Sequence, residues 1–490
     1  MNELHLPLIE IAVFAPLLGA LLARQAGPDT ARRCALIASG AALGCSVAVW
    51  IDLALVHAFE AHDRWALLSW LPGGDPFVID EVSAPLLPLA ALQFLLTFVA
   101  TLRASAARFS FALSLIGESL VLATLATKSP WLITALMAAA AVPVAIQLKR
   151  RGASTRVFTL HMTLFIALLT AGVALKEWGG AEGTAAVAGT VAIALAVLIR
   201  CAATPFHLWL VDLFDRVSFG AAILFVTPMT GAYVALRLLL PDAPEAVLRG
   251  VAVVSLVTAV YAAAMALVQR DARRVFAYLL LSHASLVLVG LEIATLLGLT
   301  GALCVWLSVG LAMTGFGLTL RCVETRVGRI DVDRFNGLHD ASPTLAGLFL
   351  LTGLASIGFP GTVGFIAVEL LVEGAVQSAP VIGVVVLIAT ALNGVAVLRA
   401  YFRIFTGCEH ASTIDLGIRP SERIAVLVLS VLILGGGLWP QPGVASRRHA
   451  AAELLRQRAA VSAAPLANSP PSPSPLDPTL RSAFAANDHE

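Results

Sequence analysis

Apolar runs of about 20 residues, each long enough to cross a ~30 Å hydrocarbon layer as a helix, follow one another along this chain with short polar interruptions. They fall at 7–24, 34–57, 82–102, 109–127, 130–148, 156–175, 184–211, 217–239, 250–269, 275–297, 300–320, 343–375, 381–405 and 421–440. A helix satisfies its own backbone in lipid, so the pattern predicts an all-α polytopic membrane protein with about 14 transmembrane helices. The first run follows the nearly uncharged residues 1–7 and is read as a retained helix rather than a signal peptide.

Two of the long runs are interrupted at their middles. In 184–211 the break is Thr204, Pro205, Phe206 and His207, and in 343–375 it is Gly358, Phe359, Pro360, Gly361 and Thr362. Proline removes a helical hydrogen bond, and backbone freed in this way is tolerated at membrane depth only beside protein or water. The first break lies in the fourth helix of a five-helix set beginning at 109, the second in the fourth helix of a set beginning at 250. Five crossings are odd, so the two sets enter the membrane from opposite sides. The spacing therefore predicts two inverted five-helix repeats, each with one broken helix, an arrangement that points to a transport pathway between the repeats. Ordinary proline kinks in helix packing are the plainer reading of either break taken alone.

Composition agrees with the pattern. Of 490 residues 59% are hydrophobic and 13% charged, and the mean hydropathy is +0.89, more apolar sequence than a soluble core needs. The net charge of +1 says little about partners, but the distribution of charge sets a topology. Arg24, Arg32 and Arg33; Arg103 and Arg108; Lys149, Arg150, Arg151 and Arg156; Arg270, Arg273 and Arg274; and Arg321, Arg326, Arg329 and Arg334 gather in alternate loops, while Asp63, Asp75, Asp80, Glu81, Asp242 and Glu245 occupy the loops between. The positive-inside rule then makes the first set cytoplasmic and puts the N-terminus outside, in the inner (plasma) membrane of a bacterium. The chain divides into N-terminal helices at 1–108, a first repeat at 109–239, a second at 250–405, a last helix within 406–440 and a tail at 441–490. Pro470, Pro471, Pro473 and Pro475 among serines make that tail read as disordered, and Arg447, Arg448, Arg456 and Arg458 in it run against the charge rule.

Cysteines 34, 45, 201, 304, 322 and 408 show no metal-ligand or redox spacing and read as small apolar filler or reduced thiols. Nothing resembles a nucleotide loop, a haem or iron-sulfur site or a hydrolase triad, so no cofactor, metal, nucleic acid or catalytic centre is expected. The chemistry left is movement of ions.

Three motifs in order then carry a family resemblance. Residues 200–210 read R-C-A-A-T-P-F-H-L-W-L, with Asp212 following; residues 271–283 read D-A-R-R-V-F-A-Y-L-L-L-S-H; and residues 354–365 read L-A-S-I-G-F-P-G-T-V-G-F. Weaker agreement extends to Asp80, Glu81, Val82 and Ser83, to Thr155 and Arg156, to Gly231, Ala232 and Tyr233 with Arg237, and from Arg329 to Leu338. The chain resembles the antiporter-like membrane subunits of complex I, the NADH-quinone oxidoreductase, most of all its M-type subunit, and of the Mrp sodium/proton antiporters. The resemblance implies proton translocation along a central polar axis, next to other membrane subunits and a cytoplasmic subunit.

On that axis the chain departs from the family. Where the resemblance implies a glutamate in the fifth helix, Ala138 stands before Val142 and Pro143, and where it implies the lysine of the seventh helix, Arg200 stands. Met229, Leu311 and Val368 occupy three further charged positions of the family, with Glu369 one residue beyond the last. The whole chain holds three lysines, Lys128, Lys149 and Lys176, none inside an apolar run. Lysine can be tuned to exchange protons, whereas arginine stays protonated in essentially any protein setting, so Arg200 supplies a fixed charge.

The remaining ion-path candidates are Glu118, His207, His283 and Glu369 beside Arg200, with Pro205, Gly358, Pro360 and Gly361 at the helix breaks. Glu118 pairs with Arg200 or is neutral; the two histidines relay protons or pack. His161 reads as a packing hydrogen-bonder, and Glu292 and Glu373 as interfacial. Three functions fit: an ion-translocating subunit of a respiratory or antiporter complex with a reduced proton path, a membrane partner of a carbonic-anhydrase-like subunit in inorganic-carbon uptake, or a non-conducting scaffold.

Overall fold

A computed structural model describes residues 4–56, 58–62, 76–179, 183–407 and 416–467. Asp63, Asp75, Cys408 and the tail prolines 470, 471, 473 and 475 lie outside the described residues. The chain begins with a helical hairpin, α1 (Leu8–Gln25) and α2 (Pro28–Val56), followed by an antiparallel ribbon of β1 (Glu60–His62) and β2 (Val78–Asp80), in which Ala61 pairs with Ile79. Next come α3 (Leu86–Val99), the short α4 (Arg103–Ala106), α5 (Phe111–Leu125), α6 (Pro130–Arg150) and α7 (Arg156–Trp178). The first interrupted run forms α8 (Thr184–Arg200) and α9 (Leu208–Arg216), and the next forms α10 (Phe219–Val226) and α11 (Thr230–Val234), continued by a π-helical turn at Ala235–Leu239. Then follow α12 (Glu245–Val268), α13 (Ala272–Glu292), α14 (Leu296–Val327), the second interrupted pair α15 (Pro343–Ser356) and α16 (Val363–Ser378), α17 (Pro380–Phe405), α18 (Pro420–Leu438) and α19 (Gln441–Ala467).

Among the described residues ten helices are long and apolar enough to cross a membrane, with Phe219–Leu239 counted as one, and α3, α5, α8 and α15 are shorter apolar helices. Phe219–Leu239 and α13 bury 100% and 94% of their apolar windows inside the protein, whereas α2, α7 and α18 bury 33%, which makes the former central and the latter peripheral. A column of ring contacts runs through the centre: Phe214 on Phe219, Phe219 on Phe276, Phe276 on Phe316, Phe316 on Phe349 and Phe349 on Phe405, with centroids 4.5 to 6.0 Å apart. Where helices approach most closely, small residues allow it. A Cβ on Gly374 would lie 2.3 Å from the Gly298 nitrogen, and one on Gly301 would lie 2.5 Å from the Leu371 nitrogen, so α14 and α16 touch backbone to backbone.

The structure corrects two expectations. The run 217–239 is a third interrupted helix: Pro228 supplies no N–H, and Met229 stands in left-handed backbone at φ 49° before α11 begins. The region from 441, expected to be disordered, is helical over Gln441–Ala467. Two of its arginines are held by backbone oxygens of other elements. Buried Arg447 donates to the carbonyls of Glu81 and Val82, and Arg458 to those of Leu240 and Ala243. His449 Nδ1 lies 2.5 Å from the Glu81 carboxylate. Arg447 and Arg458, two of the arginines that run against the charge rule, therefore fasten α19 to the chain around β2 and the π-helical turn.

Candidate functional site

The two predicted breaks are built alike. At the end of α15 the Phe359 amide donates to the Leu354 carbonyl at 3.1 Å and the Gly358 amide to Ala355 at 3.3 Å, with Gly358 at φ 78°. At the end of α8 the Ala203 amide donates to Leu198 at 2.8 Å and the Ala202 amide to Ile199 at 3.1 Å, with Ala202 at φ 57°. Both are Schellman endings, a six-to-one bond enclosing a five-to-two bond around a left-handed residue. Glycine meets the left-handed requirement freely in the second; alanine in the first carries strain of about 1–2 kcal/mol. The Thr204–Pro205 bond within the first break is cis.

Side chains then take up the backbone groups that the first break frees. The Trp209 indole donates to the Ile199 carbonyl at 2.9 Å, and the Thr204 amide donates to Thr258 Oγ1 of α12 at 3.0 Å. In the second break Thr362 Oγ1 donates to the Phe359 carbonyl at 2.6 Å, and Gly437 of α18 packs on the turn, where a Cβ would lie 2.4 Å from the Gly361 oxygen.

Arg200 closes the last turn of α8, where a positive charge suits the helix dipole. Its guanidinium is buried and does not reach a carboxylate. Nη2 donates to Thr230 Oγ1 at 2.9 Å and to the Phe225 carbonyl at 3.3 Å, and the group lies over the rings of Phe225 (4.5 Å) and Trp209 (5.7 Å). Phe225 is one turn before Met229, whose amide turns aside to Val226 at 3.0 Å. Arg200 thus satisfies a carbonyl that the third break sets free.

Glu118 is fully buried and joined to Ser39 of α2, whose hydroxyl donates to Oε1 at 2.7 Å, rather than to Arg200. His207 Nε2 lies 3.3 Å from the Tyr261 hydroxyl, with the ring edge-on to Tyr261 and tilted to Tyr278. His283 is buried in α13 next to Ser282, which donates to the Ala259 carbonyl and accepts from Asn393 of α17 at 2.9 Å. Glu118 Oε2, His207 Nδ1, His283 Nε2 and Asn393 Oδ1 are buried with no hydrogen-bond partner among the described residues. Glu369 is placed apart from this group: Val368 faces the second break against Gly358, and Glu369 is on the exposed side of α16. No hydrogen bond or ion pair joins Glu118, Arg200, His207 and His283 to one another among the described residues. Pro205, Gly358, Pro360 and Gly361 all stand in the two turns.

Of the other residues singled out, His161 bonds the Val157 carbonyl of its own helix at 2.8 Å, Glu292 is buried rather than interfacial, and Glu373 is exposed. Arg273 and Arg274 pair with Glu324 and Asp215 at 2.7 Å each. Sequence reasoning missed Gln93, whose Nε2 donates to the Gly310 carbonyl at 3.0 Å and whose Oε1 accepts from Thr227 at 3.4 Å, and it missed Asn393. It also missed the cluster of Asp80 with Arg237 (2.7 Å) and Lys128 (3.0 Å). Burial alone would raise the Asp80 carboxyl, but the charge and hydrogen bonds of Arg237 and the charge of Lys128 outweigh it and hold the group below the usual carboxylate range. Among the described residues there is no group of three or more His, Cys, Asp or Glu side chains that could hold a metal ion.

Residues 153–393 match the model of the NADH:quinone oxidoreductase/Mrp antiporter transmembrane family. Curated relatives include subunit M of the F(420)H(2) dehydrogenase of Methanosarcina mazei, 29% identical over 257 residues, 51% of this chain and 52% of that one. Subunit M of the NADH-quinone oxidoreductase of Rickettsia prowazekii is 30% identical over 257 residues, with the same shares. The alignment thus spans about half the length of these relatives. In fold, the chain is similar to a chain of respiratory complex I from Thermus thermophilus, with 23% identity, a TM-score of 0.79 and coverage of 92% of this chain and 99% of that one. It is also similar to a chain of the Mrp complex from a Dietzia species, with 21% identity, a TM-score of 0.78 and coverage of 93% and 99%.

Proposed function

We propose, from the match of residues 153–393 to the NADH:quinone oxidoreductase/Mrp antiporter transmembrane family, that this chain is an ion-translocating membrane subunit of that family in a multi-subunit complex and that its proton path is altered. The observation that carries the reading is the matched pair of Schellman breaks, at the ends of α8 and α15, with unpartnered polar atoms buried near membrane depth. In this reading about 14 helices cross the inner membrane of a bacterium with the N-terminus outside, and two inverted five-helix repeats each contribute one break. Partner membrane subunits lie alongside, and a cytoplasmic subunit supplies the driving reaction. The chain itself carries no catalytic centre in this account.

The division of labour follows from side-chain chemistry. Arg200 holds a fixed positive charge against Phe225, Trp209 and Thr230, while Glu118, His207 and His283 keep unpartnered atoms that can exchange protons with water or an ion. Proton flux into proteoliposomes holding the purified complex tests this. Glu118→Gln and His283→Ala should each reduce the flux severalfold, and unchanged flux in both defeats the reading.

A second reading, a non-conducting scaffold, is favoured by one fact: Arg200 is occupied by backbone and aromatic groups and has no carboxylate switching partner. The same assay separates the two, since a scaffold carries no flux in the wild type.

A further inference from the structure

A crevice of about 1010 Å³ opens between α1, α5 and α6 at the end of the bundle where the basic loops gather. Its wall is apolar, formed in part by Leu21, Ile116 and Ile146, and Leu21 and Ile146 are themselves exposed along the side of the bundle. Its mouth carries four arginines: Arg24 at the end of α1, Arg108 before α5, and Arg150 and Arg151 at the end of α6. Acidic residues do not line it.

The four arginines leave their charge available to a ligand. At the same end of the molecule Arg270, Arg274, Arg329 and Arg399 each pair with an aspartate, and Arg273 and Arg326 with a glutamate. Among the described residues none of Arg24, Arg108, Arg150 and Arg151 has a carboxylate within ion-pair distance, and a long bond joins Arg151 to the Arg108 carbonyl, 3.5 Å. Topology accounts for basic residues at this end, but not for the gathering of four of them on one crevice with an apolar wall.

We propose that this crevice is a binding site for an anionic phospholipid, with the headgroup phosphate among the four arginines and the acyl chains along the apolar wall between α1 and α6. Two features select lipid over a free phosphate: the volume far exceeds that of an inorganic anion, and the wall below the arginines is apolar and continuous with the lipid-facing surfaces of α1 and α6. Basic pockets between transmembrane helices recognise anionic headgroups in this way, each arginine adding attraction that falls off within a Debye length.

Native mass spectrometry of the purified full-length chain, titrated with phosphatidylglycerol or phosphatidylcholine, tests the site. Wild type should retain phosphatidylglycerol at least about tenfold better than phosphatidylcholine. The triple variant Arg24→Gln, Arg150→Gln, Arg151→Gln should lose that preference, while the control Arg270→Gln, Arg334→Gln keeps it. If the triple variant does not fold, Ile146→Trp, which fills the crevice and leaves every charge in place, should give the same loss. The proposal is overturned if wild type shows no headgroup preference, if the control loses as much as the triple variant, or if inorganic phosphate at equal concentration displaces the bound lipid.

Discussion

Arg237 grips the Asp80 carboxylate with both ends of its guanidinium, Nη1 to Oδ2 at 2.7 Å and Nη2 to Oδ1 at 2.8 Å, across 157 residues of chain. The pair ties the last residue of β2 to the π-helical turn after α11, and Tyr233 beside it donates to the carbonyls of Leu125 and Thr127 at the end of α5. Both charges are nearly or fully buried, so removing one leaves the other stranded. Asp80→Asn should cost about 3–5 kcal/mol, read as a lowered unfolding midpoint in detergent.

The same pair has a defined pH signature. The folded Asp80 carboxyl is held below its ordinary range, so its stabilisation is complete above the unfolded value of about 4 and is lost as pH falls from there towards the folded value. The stability gap between wild type and Asp80→Asn should therefore stay constant from pH 7 to about pH 5 and narrow below that. Unfolding measured across this range checks it; a gap independent of pH down to 3 would mean that the carboxylate is not the stabilised form.

Ala202 occupies the left-handed position of the first Schellman ending, where its counterpart in the second is Gly358. Ala202→Gly should raise stability by up to about 1 kcal/mol, relief of strain exceeding the added freedom of the unfolded chain. The reverse change, Gly358→Ala, should lower it by a similar amount. A thermal melt of the two variants gives opposite signs if both turns are built as described.

Arg200→Lys restores a group that can release its proton when desolvated. If the altered path rests on the permanence of the arginine charge, the lysine variant should show proton flux above wild type in proteoliposomes, with a steeper dependence on pH. It should also lose some stability, since lysine cannot lie flat on Phe225 and Trp209 while holding Thr230 and the Phe225 carbonyl.

Contact between α14 and α16 depends on glycine at Gly301 and Gly374, because an added methyl at either meets backbone rather than a movable side chain. Gly374→Ala should cost about 1–3 kcal/mol and displace α16 relative to the second break. Loss of flux out of proportion to loss of stability would show that α16 must sit where it does for conduction.

Most of the helices could be read from the chain because lipid demands long apolar runs, and the two predicted breaks because Pro205 and Pro360 stand among residues that end helices. The third break was missed although Pro228 was visible: a single proline in an apolar run reads as a kink, and only the left-handed Met229 turns it into an end. Partners of buried polar groups were not legible, even where both members carry charge, as with Asp80 and Arg237. Ser39 lies 79 residues from Glu118 and Asn393 lies 111 from Ser282, and neither has a sequence signature that distinguishes it from other small polar residues in a membrane helix. Glu369 was misjudged for another reason: a shift of one residue on a helix is about 100° of rotation, enough to move a side chain from the break to the outside.

The fastening made by α19 has a consequence in time. This helix emerges from synthesis after every span it holds, yet Arg447 reaches back 365 residues to Val82 and Arg458 reaches back 218 to Leu240. Until it arrives, the carbonyls of Glu81, Val82, Leu240 and Ala243 are without these donors. Docking of α19 is therefore a late latch, closed only after the spans it fastens are already made, and a chain cut short before Arg447 would lack both fastenings.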